Sequence, residues 1–113
     1  MMGKFFKNVE FAKELVLKNN VNYAEGQVVS KTLVQTENVS MTLFSFDKGE
    51  EISSHSASGD ALVYVIEGEA AVTVGDNKST AVKEGNFIVM PSNVPHALVA
   101  TQRFKMMLIV VKG

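Results

Sequence analysis

From about residue 27 onward, hydrophobic and polar residues alternate in short runs, and turn-forming residues separate the runs. Period-two alternation of this kind predicts strands. The candidates are residues 27–35, 40–47, 52–56, 61–66, 70–74, 79–82, 86–90, 96–100 and 104–111. The breaks are Thr36-Glu37-Asn38, Lys48-Gly49-Glu50, Glu67-Gly68-Glu69, Gly75-Asp76-Asn77, Lys83-Glu84-Gly85 and Pro91-Ser92-Asn93. Gly75-Asp76-Asn77 is the strongest hairpin signal, because Gly, Asp and Asn tolerate the positive φ of tight hairpin turns. Ahead of this series, Val9, Ala12, Leu15 and Val16 recur at helical spacing, with Asn8 placed as an N-cap and Glu10 in the first turn. That pattern predicts one short helix over about 9–18, ended by Asn19-Asn20. The chain therefore divides into a helix and lead-in, 1–26, and a β domain, 27–113.

Many short strands with little helix favour an all-β sandwich or barrel. The run 61–66 is apolar on both faces: Ala61, Val63 and Val65 on one, Leu62, Tyr64 and Ile66 on the other. The closing run 106–111 is equally apolar. Strands covered on both sides in so small a chain call for a second layer or a second subunit. A homodimer is the expectation.

Composition narrows the function classes. A chain of 113 residues is the size of one domain. Hydrophobic residues make up 46% and charged residues 20%, as in ordinary globular proteins. A formal net charge of -1 offers no basic field for nucleic acid or an acidic membrane. Without cysteine there is no disulfide, thiolate metal site or thiol nucleophile. The residues after Met1 carry no long apolar stretch, so no signal peptide is read, and no run is long enough to span a bilayer. Cytoplasmic localisation is the expectation.

The chemistry-bearing residues are sparse. The only two histidines are His55, in Gly49-Glu-Glu-Ile-Ser-Ser-His55, and His96, in Pro91-Ser-Asn-Val-Pro-His96. These runs resemble the two motifs of a single-domain cupin, over roughly residues 27–111. The first cupin motif runs Gly, five residues, His, one residue, His, three or four residues, Glu, six residues, Gly. Gly49, His55 and Gly68 keep that spacing, with Ala57 at the second His position and Ala61 at the Glu position. The second runs Gly, five residues, Pro, one residue, Gly, two residues, His, three residues, Asn. Gly85, Pro91 and His96 keep it, with Asn93 for the Gly and Ala100 for the Asn. The resemblance implies a jelly-roll (double-stranded β-helix) barrel of the cupin 2 type. It also implies a pocket at His55, His96, Ala57 and Ala61, and a metal site reduced to His55 and His96.

Three readings follow. In the first, the barrel binds a small, partly apolar molecule, and the two histidines fix its polar or anionic group. In the second, His55 and His96 hold one divalent transition metal (Zn, Ni, Cu, Mn or Fe), weakly, and water or substrate completes the shell of a dioxygenase- or isomerase-type enzyme. In the third, one histidine is the acid–base catalyst of a metal-free isomerase. Two protein ligands make a poor metal site, and the carboxylate of a two-His-one-carboxylate triad is missing at Ala61. Strict alternation places Glu51 and Ser53 on the strand face of His55 and so offers them as replacement ligands. Asp60, beside Ala61, belongs to the opposite face unless the Ser58-Gly59-Asp60 loop turns it inward. Phe44, Phe46, Tyr64, Phe87 and Phe104 are aromatic candidates for the pocket wall. Phe44 and Phe46 share one strand face, Met41 and Leu43 the other.

Overall fold

A computed structural model describes residues 5–76 and 78–113. Among the described residues, nine strands form close to where the alternation predicts them. They are β1 (Val28–Gln35), β2 (Val39–Phe46), β3 (Glu51–His55), β4 (Asp60–Glu67), β5 (Glu69–Val74), β6 (Thr80–Lys83), β7 (Phe87–Met90), β8 (His96–Val99) and β9 (Phe104–Val111). They make two antiparallel sheets, ordered β1-β2-β9-β4-β7 and β3-β8-β5-β6. The expected all-β barrel is the result, with the two sheets facing each other across one core. Gly75 turns with φ 61°, as the hairpin reading at 75–77 requires; its third residue, Asn77, lies outside the described residues.

Strand parity decides what fills the barrel. Ala61, Val63 and Val65 of β4 join Phe46, Ala70, Val72, Met90, Leu98, Phe104 and Met106 in the inner cluster. Phe44 packs against that cluster, whereas Met41 and Leu43 lie on the outer side of the same sheet. At one end of the barrel the Phe46 and Phe104 rings stack, centroids 4.6 Å apart and nearly parallel at 8°. Each fully buried phenyl contributes roughly 1.5–3 kcal/mol of transfer free energy, so this stack closes that end firmly.

The outer face of the five-stranded sheet carries a second cluster of Val21, Leu33, Val34, Leu43 and Met107. Val9 and Leu17 of the N-terminal segment pack against it, as do Tyr64 and Ile66. The second layer anticipated for β4 and β9 is thus supplied, in part, by the chain's own first residues. Side chains pin the segment down. Ser45 Oγ donates to the Asn22 carbonyl at 2.7 Å, and Lys105 Nζ donates to the Lys18 carbonyl at 2.6 Å. Tyr23 Oη donates to Glu67 Oε2 at 2.6 Å, with the Arg103 guanidinium 4.2 Å from the Tyr23 ring centroid. Burial, then the Glu67 bond, push the Tyr23 phenol well above its usual range.

The helix expected over about 9–18 does not form; a four-residue 3-10 turn, Leu17–Asn20, stands at its end instead. Asn8 and Ala12 take positive φ, 61° and 56°, which no right-handed helix accommodates. Asn8 does not cap: its Nδ2 donates to the Thr32 carbonyl, while Lys7 N bonds the Leu33 carbonyl at the edge of β1. A helix of ten residues is marginal on its own. Here an extended path, which bonds to β1 and lays Val9, Leu17 and Val21 on the sheet, satisfies more groups than the helix would.

Candidate functional site: a histidine pair at the end of the barrel

His55 ends β3 and His96 begins β8, and the two are directly opposed in the ladder between these strands. A β-bulge brings this about. Ile52 pairs with Leu98 and His55 with His96, so two residues of β3, Ser53 and Ser54, oppose the single residue Ala97. Leu98 belongs to the inner cluster and Ile52 packs against it. Simple alternation from Ile52 would turn His55 outward; the extra residue restores it to the inner face. The same bulge removes Glu51 from contention as a ligand, because Glu51 pairs with Val99 on the outer face and is exposed. Ser53, within the bulge, contributes its backbone rather than its hydroxyl.

The two rings meet edge to face, with centroids 4.5 Å apart and planes at 68°. Each ring is tied to its own strand by the same contact. Nδ1 of His55 lies 3.0 Å from the Ser53 carbonyl, and Nδ1 of His96 lies 3.3 Å from the Val94 carbonyl. A carbonyl oxygen only accepts, so these contacts assign the hydrogen to Nδ1 in both rings and leave a lone pair on Nε2 of the neutral ring. His55 is exposed, whereas His96 keeps 6% of its surface. Burial holds the His96 imidazole below the usual histidine value; His55 beside it acts in the same direction, and the bond to the Val94 carbonyl acts against it. Among the described residues no buried side-chain nitrogen or oxygen lacks a partner. Among the described residues His96 Nε2 has no hydrogen-bond partner, so that atom is not fully buried.

The loops around the pair are joined backbone to backbone. Asn93 N donates to the Ala57 carbonyl at 2.8 Å, linking the segments that follow β3 and β7. At the far end of the two motifs, Gly49 N donates to the Ala100 carbonyl and Ala100 N to the Glu50 carbonyl. Asn93 takes φ 64°, so it keeps the left-handed backbone that the family pattern assigns to Gly. Ala61 lies in the inner cluster, paired with Met90 and with Val110. A small apolar side chain occupies the position where the family pattern has a carboxylate. Asp60 does not replace it: its Oδ1 accepts from Ser92 N at 2.9 Å and the residue is exposed.

These placements test the metal reading by its donor set. No three side chains of the His, Cys, Asp or Glu type converge among the described residues. Two imidazoles do not fit a site that ordinarily needs three or four protein donors. Between the histidine pair and the Phe46–Phe104 stack the interior is packed with buried side chains. Three hollows, at Phe6, Val9, Glu10 and Phe11, at Ser58–Asp60 with Ser92, and at Asn20–Asn22 with Lys31, are lined by residues other than His55 and His96. Sequence reasoning missed Val74, the cross-strand neighbour of His96 on β5, and the carbonyls of Ser53 and Val94. Val74 could have been found from the hairpin register; the carbonyls leave no signal in side-chain identity.

Residues 42–112 match the family model described as "Cupin domain". A conserved protein of unknown function from Streptococcus pyogenes has a solved structure similar to this one. It is 44% identical, with 98% of this chain and 96% of that chain covered and a TM-score of 0.94. A cupin 2 conserved barrel domain protein from Leptotrichia buccalis is 50% identical, covering 84% of this chain and 46% of that one, with a TM-score of 0.81. An uncharacterized protein of Methanocaldococcus jannaschii is 34% identical over 71 residues, 63% of this chain. The chain spans about three fifths of the length of the curated relatives it matches.

Proposed function

We infer that this chain, which belongs to the cupin domain family, binds a small, partly apolar molecule at the histidine end of its barrel, with Nε2 of His55 and of His96 holding the molecule's polar group. The observation that carries this reading is the pairing itself. Two imidazoles from adjacent strands have ring centroids 4.5 Å apart, each oriented through Nδ1, and neither Nε2 has a hydrogen-bond partner among the described residues. An apolar neighbour stands beside the pair: Val74 lies across the ladder from His96. The donor set supports binding without a metal, since two imidazoles are fewer than the three or four protein donors a zinc site takes, and no third His, Cys, Asp or Glu joins them among the described residues.

With two histidines in the chain, the ring Cε1–H region of a proton NMR spectrum holds two protein signals. A fragment screen read there tests the proposal. A ligand of this site moves both signals together, and His55→Ala weakens it at least about tenfold, a loss of about 1.4 kcal/mol, while the melting temperature stays near that of the parent. Ligands that bind with neither signal moving would contradict it. The metal-free isomerase reading has one observation in its favour: burial depresses His96, which keeps the ring in the unprotonated form that a base needs. It requires deuterium to enter a bound ligand in heavy water, and that exchange to vanish in His96→Gln.

A further inference from the structure

The binding proposed above leaves the class of the polar group open; the ring contacts narrow it. Both Nδ1 hydrogens are committed to backbone carbonyls, one at Ser53 and one at Val94. Each carbonyl belongs to the residue two positions before its histidine, so the contact is built into the local chain path and does not depend on a distant side chain. What remains at both Nε2 atoms is a lone pair, an acceptor. Holding a carboxylate or phosphate would need hydrogens on Nε2. These could come only from an added proton or from a tautomer change that leaves a carbonyl and Nδ1 lone pair to lone pair. Among the described residues no Lys or Arg forms a hydrogen bond or ion pair with either ring, and the ring's cross-strand neighbours are His55 and Val74 for His96. Two of the cationic side chains, Arg103 and Lys105, are held elsewhere, by Asp47 and by the Lys18 carbonyl.

We propose that the two histidines form a hydrogen-bond acceptor pair, and that the ligand of this barrel presents a donor to it, a hydroxyl or an amine on an apolar body, rather than a carboxylate or phosphate. This rests on the proposed binding at the histidine pair. A geminal or neighbouring pair of donors, or one ammonium group with its three hydrogens, can engage both Nε2 atoms of the neutral rings at once; a carboxylate can engage them only after a proton is added to the ring or the tautomer changes.

The test uses the full chain labelled with nitrogen-15 at about pH 8, above the ordinary histidine value. Long-range proton–nitrogen correlation reads the tautomer of each ring. The expected spectrum has protonated Nδ1 and unprotonated Nε2 in both His55 and His96. Benzyl alcohol, benzylamine and benzoate are then titrated; they share one apolar body and differ in the polar group. The alcohol and the amine should move both rings, with Kd at least about tenfold below that of benzoate, and His96→Ala should abolish the difference. Benzoate binding as well as the other two, or an Nε2–H tautomer in either ring, overturns the donor preference while leaving the site in place. Neither ring moving with any of the three probes overturns the site and the preference together.

Discussion

At the scale of single residues, His96 is where environment changes chemistry most. Its folded value is depressed, so the folded state binds fewer protons than the unfolded chain as pH falls below about 6.5, the ordinary histidine value. Its contribution to stability is complete above that value and is lost as pH falls through the lower folded one. His55 is the titratable group facing it, and their repulsion adds to the loss once both rings are charged. Urea unfolding of the parent and of His96→Gln checks this. Stability of the parent should fall between pH 7.5 and pH 5.5, with a smaller fall in the variant; parallel pH profiles would contradict the assignment. Both histidines were legible from spacing, since the glycine and proline positions around them fit a known pair of motifs. Their tautomers were not, because the groups that set them are backbone carbonyls. Nor was the role of Ala61, whose identity gives no hint that it closes the core beside Met90.

At the scale of elements, the bulge in β3 determines whether there is a site at all. Nine strands could be read from alternation because each buries one face, and a one-residue slip would have exposed that face. The same logic misplaced Glu51 and Ser53, because alternation counts residues evenly and the bulge inserts one between Ile52 and His55. The helix over 9–18 failed for a different reason: its apolar spacing suits a helix, but β1 offers the segment backbone partners at Thr32 and Leu33. A variant lacking Ser54 would restore even alternation and turn His55 outward. Its melting temperature should fall by only a few degrees, because Ile52 and Leu98 keep their places. The edge-to-face contact, seen as ring-current shifts of both histidines, should disappear together with any ligand response at His55. Retention of both would show that the bulge does not place the ring.

At the scale of the whole molecule, the N-terminal segment covers the outer face of the large sheet only in part. Phe87 and Val89 of edge strand β7 stay 61% and 49% exposed, and Val111 of β9 53%. Leu62 and Tyr64 lie across the ladder from Val89 and Phe87. A continuous apolar strip of this kind favours self-association, so the homodimer expected from the sequence is predicted to bury it. Light scattering should give about twice the chain mass at micromolar concentration, and Val89→Asp should halve it; a single-chain mass for the parent would contradict this. Among the described residues no helix is long and apolar enough to cross a membrane. The central claim is that the paired imidazoles act on a ligand directly, without a bound ion. Metal content of the untagged protein by mass spectrometry tests it most directly, with thermal melts in added Zn, Ni, Cu, Mn and Fe(II) alongside. The predicted result is far less than one metal per chain and no melting shift. One equivalent of metal, lost in both His55→Ala and His96→Ala, would contradict the claim.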